Sequence, residues 1–159
     1  MNLSNWLKEW AGVLTLFLTF FLTILIPILI YCLQKKFRIK QKQREDIELI
    51  MDWVTKILAL QNEYLVAEAL LELNLLEMDK KCNELVRKYF EISLLAKDLN
   101  KSIYDKAKCL NEEFTRFNRQ VRSECLRNKI EYKEVPYSKE IQLAAQDLLQ
   151  ESIEFRKEL

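Results

Sequence analysis

The chain has 159 residues, half of them hydrophobic and 31% charged, with a formal net charge of +1 and no histidine. That length holds one modest domain once an anchor is set aside. The missing histidine removes every nucleophile–imidazole pair and a principal metal ligand. Near-neutrality hides segregation. Residues 1–44 carry 7 basic and 1 acidic side chains, 45–84 carry 3 and 10, 85–129 carry 11 and 6, and 130–159 carry 4 and 7.

Residues 1–10 read as a short external tail, in which Lys8 and Glu9 cancel. Residues 11–33, AGVLTLFLTFFLTILIPILIYCL, contain no charge. As a helix they extend about 35 Å, enough to cross a hydrocarbon core of about 30 Å. Trp6 and Trp10 before the run and Tyr31 near its end stand where an aromatic belt forms. The charges follow the apolar run instead of preceding it, which argues against a cleaved signal peptide. Lys35, Lys36, Arg38, Lys40, Lys42 and Arg44 place the C-terminal side in the cytoplasm by the positive-inside rule. The expectation is a single-pass protein of the cell inner membrane with its N-terminus outside.

Within the span, Gly12, Thr15, Thr19 and Thr23 recur at helical spacing and line one face. That face is a candidate self-association seam, because small and hydroxyl residues permit close helix approach. The alternative is that each hydroxyl bonds back to its own turn. Pro27 cannot donate to the Thr23 carbonyl, so a kink is expected there. Residues 34–44 continue the helix out of the bilayer, with Lys35, Lys36, Arg38 and Lys40 as candidate contacts to anionic lipid headgroups, or as topology determinants alone.

Residues 45–159 read as a cytoplasmic helical domain. Glycine occurs once and proline twice, at Pro27 and Pro136, so the turn chemistry that strands require is scarce. The chain is therefore expected to be all-α. Helices are expected at about 3–76, 79–99, 101–131 and 138–157. Asp79 and Ser138 are the expected caps, and the register slip near Asn100 marks a stutter or a turn. Ile103, Ala107, Leu110, Phe114, Phe117 and Val121 form the most regular apolar seam. The bulk of Trp53, Tyr64, Tyr89, Phe90, Phe114 and Phe117 favours a packed bundle over a slim coiled coil, with self-association expected in either case.

No P-loop, glycine-rich loop or metal motif is present, so neither an enzyme nor a cofactor is expected. Cys32, Cys82, Cys109 and Cys125 are too widely spaced for a zinc cluster and read as small apolar residues. The most suggestive stretch is TRFNRQVRSECLRNK. Arg116, Arg119 and Arg122, with Arg127 and Lys129 beyond, form a strip of forks suited to phosphate. Asn118, Gln120 and Asn128 are candidate base contacts, and Tyr132 a stacking surface. The competing explanation is that the strip pairs with the acidic helix 45–84.

A single N-terminal span, a basic juxtamembrane stretch and a helical cytoplasmic domain resemble in plan the small effectors of type III CRISPR systems gated by cyclic oligoadenylates. The resemblance is one of layout and brings no site residue with it. It implies an oligomeric cytosolic domain that binds a nucleotide second messenger, followed by membrane damage that stops phage growth. The expected partners are further copies of the chain, the membrane and a cyclic oligonucleotide, with no duplex nucleic acid. The alternative, from another class, is a single-pass scaffold whose helices bind a partner protein.

Overall fold

The computed structural model describes residues 3–70, 75–127 and 139–159, and the side chains of 10–66, 76–123 and 139–159. The described elements are all helical. Helix α1 (Leu3–Phe20) passes through a π-helical turn (Phe21–Leu25) into α2 (Ile26–Leu70), followed by α3 (Leu75–Leu99), α4 (Lys101–Arg127) and α5 (Lys139–Glu158). The chain divides into two compact units, Met1–Lys42 and Gln43–Leu159.

Among the described residues one helix is long and apolar enough to cross a membrane, and none of its apolar run is buried. Pro27 is accommodated by a change of helical pitch. The Ile26 N–H reaches the Phe21 carbonyl, five residues back. A wider turn relieves the clash between a proline ring and the carbonyl four residues before it. The hydroxyls of Thr15 and Thr19 donate to the Ala11 and Thr15 carbonyls at 2.7 Å, and Thr23 donates to the Thr19 carbonyl. Their donors are thus satisfied within their own helix. A Cβ built on Gly12 would meet only open space.

The second unit is a bundle of residues 43–70 of α2 with α3, α4 and α5, around one core. The register follows from contacts between named pairs. Trp53 of α2 donates its indole N–H to the Leu85 carbonyl of α3 at 3.1 Å, and Glu63 pairs with Lys81 at 2.6 Å. Since the later α2 residue meets the earlier α3 residue, these helices run antiparallel. Asn83 meets Asn118, and Lys106 meets Glu151, so α3–α4 and α4–α5 are antiparallel as well. Arg156 closes the circuit onto Glu48. The result is an up-down-up-down bundle.

The strongest apolar pattern becomes the innermost surface: Ile103, Ala107, Leu110, Phe114, Phe117 and Val121 are all buried. Tyr64 packs edge-on against Phe117 with centroids 5.3 Å apart, joining α2 to α4. At the slip in register the structure has a turn. The Asn100 N–H bonds the Ala96 carbonyl, closing α3, and Asn100 Oδ1 accepts the Ser102 N–H at 2.8 Å, capping α4.

Two expectations are corrected. Asp79 does not cap α3, which begins at Leu75; the earlier start lets Met78, 3% exposed, join the core one turn before Cys82. Phe90 is 70% exposed, because Tyr89 takes the inward position and the next residue on a helix turns about 100° away. The expected cap Ser138 and Pro136 lie outside the described residues.

Candidate functional site

Helix α4 is flanked by α3 and α5, which leaves one of its faces to solvent. Sequence spacing decides what stands there. Positions 111, 115, 119 and 122 step by 4, 4 and 3 and therefore share a stripe. Asn111, Glu112, Thr115, Arg116 and Arg119 line an open groove of about 310 Å³ on this face. Arg122 continues the stripe and is exposed. From Arg116 to Arg122 the rise is about 9 Å, which suits more than one phosphate.

The guanidiniums differ in their partners. Arg116, with its side chain 72% exposed, donates through Nη1 to both carboxylate oxygens of Glu113, at 2.9 and 3.1 Å. Arg119 and Arg122 have no acidic partner among the described residues. Glu48, Asp52 and Glu63 of α2 pair instead with Arg156, with Lys56 and Lys88, and with Lys81. The Lys81 ammonium is held above its usual range by its hydrogen bonds to Glu63 and then Glu77.

The amides beside the arginines face elsewhere. Asn118 is buried and donates Nδ2 to Asn83 Oδ1 at 3.2 Å, on the α3 side. Gln120 is half-buried and lies eighteen residues, five full turns, beyond Ser102, whose hydroxyl bonds Glu151 of α5. By spacing Asn118 stands one turn before Arg122 and Gln120 one turn after Arg116, so it is burial against α3 that withdraws Asn118, and neither amide lines the arginine groove. Thr115 and Asn111 do share it. The i, i+4 spacing back from Arg119 is the signal that identifies them. Asn111 Oδ1 is buried and has no hydrogen-bond partner among the described residues. Of Arg127 only the backbone is described, as the last residue of α4, and Asn128, Lys129 and Tyr132 lie outside the described residues.

A second concavity, of about 460 Å³ between α4 and α5, is lined by Lys101, Ser102, Asp105, Lys106, Cys109, Ala144 and Asp147. Its charges balance, and Lys106 is held by Glu151 at 2.5 Å. The bond from Lys106, followed by that from Ser102, holds the Glu151 carboxyl below its ordinary value. This groove is internally compensated and offers no net attraction to an anion. Among the described residues no cluster of histidine, cysteine or carboxylate side chains could hold a metal ion.

On the first unit, the basic stretch forms an open groove of about 340 Å³ lined by Tyr31, Gln34, Lys35, Arg38, Ile39 and Lys42. A larger apolar groove of about 510 Å³ follows Trp10, Ala11, Leu14, Thr15, Leu18, Thr19 and Leu22, which sets Thr15 and Thr19 between bulkier neighbours. No protein-family model, curated protein or solved structure matches the chain.

Proposed function

We propose that this protein is a membrane-anchored antiviral effector whose helical bundle binds an anionic nucleotide second messenger. By the resemblance in layout, that messenger is a cyclic oligoadenylate. The protein crosses the cell inner membrane once, with its N-terminus outside and the bundle in the cytoplasm. It acts as a homo-oligomer whose spans perturb the membrane. One observation carries the reading: Arg119 and Arg122 stand on an exposed stripe with Thr115, outside the ion pairs that join the acidic part of α2 to the rest of the bundle. Exposed guanidinium forks outside any ion pair among the described residues are the groups that a phosphodiester recruits, and Glu112 of the same groove is held by Lys108 at 3.9 Å. Repetition of the stripe around an oligomer axis would offer a cyclic, multiply charged ligand several forks at once.

The gating step requires that ligand favour one arrangement of the oligomer over another. The threonine hydroxyls already bond within their own helix, so contact between spans would rest on close packing at Gly12, Thr15 and Thr19. The test is a titration of the full chain in non-ionic detergent with cyclic oligonucleotides, following melting temperature and native mass. A saturable rise with one of them supports the sensor. No shift with any member of the panel refutes it.

A second reading, a scaffold that binds a partner protein, is favoured by the outer face of α3. Leu76, Phe90 and Leu94 there are 73%, 70% and 52% exposed. Such side chains are the anchors of protein interfaces. Under this reading a protein co-purifies with the chain and nucleotides leave its melting temperature unchanged.

A further inference from the structure

Leu22 is the central residue of the apolar run 11–33, so its peptide group lies at the bilayer midplane when that run spans. The π-helical turn leaves carbonyls without donors at this depth. The Ile26 N–H, which an α-helix would direct to the Leu22 carbonyl, goes to Phe21 instead. Residue 27 is proline and has no N–H to offer. The Leu22 carbonyl therefore lacks a donor both four and five residues on, and the Thr23 carbonyl lacks one four residues on. Hydrocarbon supplies no substitute.

Neither does the chain. From residue 11 to residue 30 the side-chain donors are the hydroxyls of Thr15, Thr19 and Thr23 alone. These already donate to the carbonyls of Ala11, Thr15 and Thr19. Trp10 and Tyr31 stand roughly 18 and 13.5 Å from Leu22 along the axis, too far for the indole N–H or the phenol to reach. A second copy brings the same engaged donors, so packing spans together adds only acceptors. Leu22 lines the C-terminal end of the groove that carries Thr15 and Thr19, which puts the freed carbonyls where the seam between copies ends. Two copies present these oxygens twice over, and a buried water needs several polar partners of this kind.

We infer that the turn at Leu22 and Thr23 binds water at the bilayer midplane, between packed copies of the span. Contact along Gly12, Thr15 and Thr19 holds the copies together above it, and the wet turn sets a polar step at the deepest point of the barrier. The site rests on the proposed span and its self-association and is independent of the nucleotide.

The test uses the full chain, labelled with carbon-13 and reconstituted in phosphatidylcholine liposomes without nucleotide. Solid-state magnetic resonance follows magnetisation passed from water to individual backbone carbonyls. Transfer to Leu22 and Thr23 is expected to be roughly threefold faster than to Phe17 and Leu29, although both of these lie nearer a surface. Pro27→Ala returns an N–H at position 27 to Thr23 and frees Ile26 to serve Leu22. It is expected to lose the excess transfer while the bundle keeps its melting temperature. Transfer as fast in Pro27→Ala as in wild type would assign the water to loose packing and overturn the site. Native mass in non-ionic detergent separates the remaining outcomes. Slow transfer at Leu22 and Thr23 in a chain of several copies overturns the site alone, whereas a single chain overturns self-association and the site with it. Equally fast transfer at all four carbonyls would put the whole run in water and remove the span reading.

Discussion

Asn118 donates Nδ2 to Asn83 Oδ1 at 3.2 Å across the interface of α3 and α4, and Asn83 in turn donates to the Asp79 carbonyl at 2.8 Å. The chain of amides leaves Asn118 Oδ1 and Asp79 Oδ1 buried without hydrogen-bond partners among the described residues. A polar layer of this kind opposes sliding of α3 against α4, because other registers leave more of these groups unpaired.

Asn118→Ala removes the donor and leaves the Asn83 carbonyl oxygen facing an apolar gap. A loss of about 1–3 kcal/mol is expected. Asn83→Leu combined with Asn118→Leu removes the buried polar groups together and is expected to restore most of that loss. Urea unfolding of the full chain in micelles, followed by helical circular dichroism, measures both. A double variant less stable than the single one would mean that the pair contributes attraction beyond mutual satisfaction.

Two thiols should behave oppositely. Cys82 is in the core, and burial, with the nearby Asp79 carboxylate adding to it, pushes its thiol up to about 12. Cys109 is exposed on α4. Since the thiolate is the reactive form, Cys109 is expected to be alkylated in the native chain near pH 8 and Cys82 only after unfolding. Peptide mass spectrometry after a short maleimide pulse separates them. The same shift predicts that stability falls as pH rises from 9.0, where the unfolded thiol ionises, towards about 12.

Legibility from sequence followed the strength of the local pattern. The seam from Ile103 to Val121 was readable because six apolar residues hold one spacing with polar neighbours on each side. Asn100 could be marked as a break, yet whether it turned the chain depended on α3 finding α4 beside it. Asp79 looked like a cap because it is a short acid before an apolar run, but burial of Met78 outweighed capping and drew the helix start forward. In the candidate site, the arginines were visible by charge alone. The burial of Asn118, by contrast, depends on which neighbour each face of α4 meets, and single-helix spacing leaves that partner open.

Acid should loosen the contact of α4 with α5. The Glu151 carboxyl is held below its ordinary 4.5 by its hydrogen bond to Lys106 and then by that to Ser102. A depressed carboxyl contributes stability that is present above its unfolded value and lost as pH falls through the folded one. The melting temperature is therefore expected to decline below about pH 4.5 more steeply in wild type than in Glu151→Gln, whose side chain cannot titrate. Parallel acid limbs in the two proteins would show that this pair adds nothing. Because the side chains are 35% and 23% exposed, salt is expected to reduce the difference.

Arg119→Glu separates ligand binding from folding. Arg119 is exposed and has no acidic partner among the described residues, so its reversal should change the ligand-free stability by less than about 0.5 kcal/mol. It also puts a carboxylate where a phosphate would sit, and loss of a charge-assisted contact worth about 1.5–3 kcal/mol means at least a tenfold weaker ligand. Arg116→Gln provides the internal comparison, because Arg116 is already engaged by Glu113 and its removal leaves that acid unbalanced on the same face. The expected order of affinity is wild type, then Arg116→Gln, then Arg119→Glu. Calorimetry with the oligonucleotide that raises the melting temperature measures all three. If Arg119→Glu binds as wild type does, the stripe on α4 is a solvated face and the messenger must be held elsewhere.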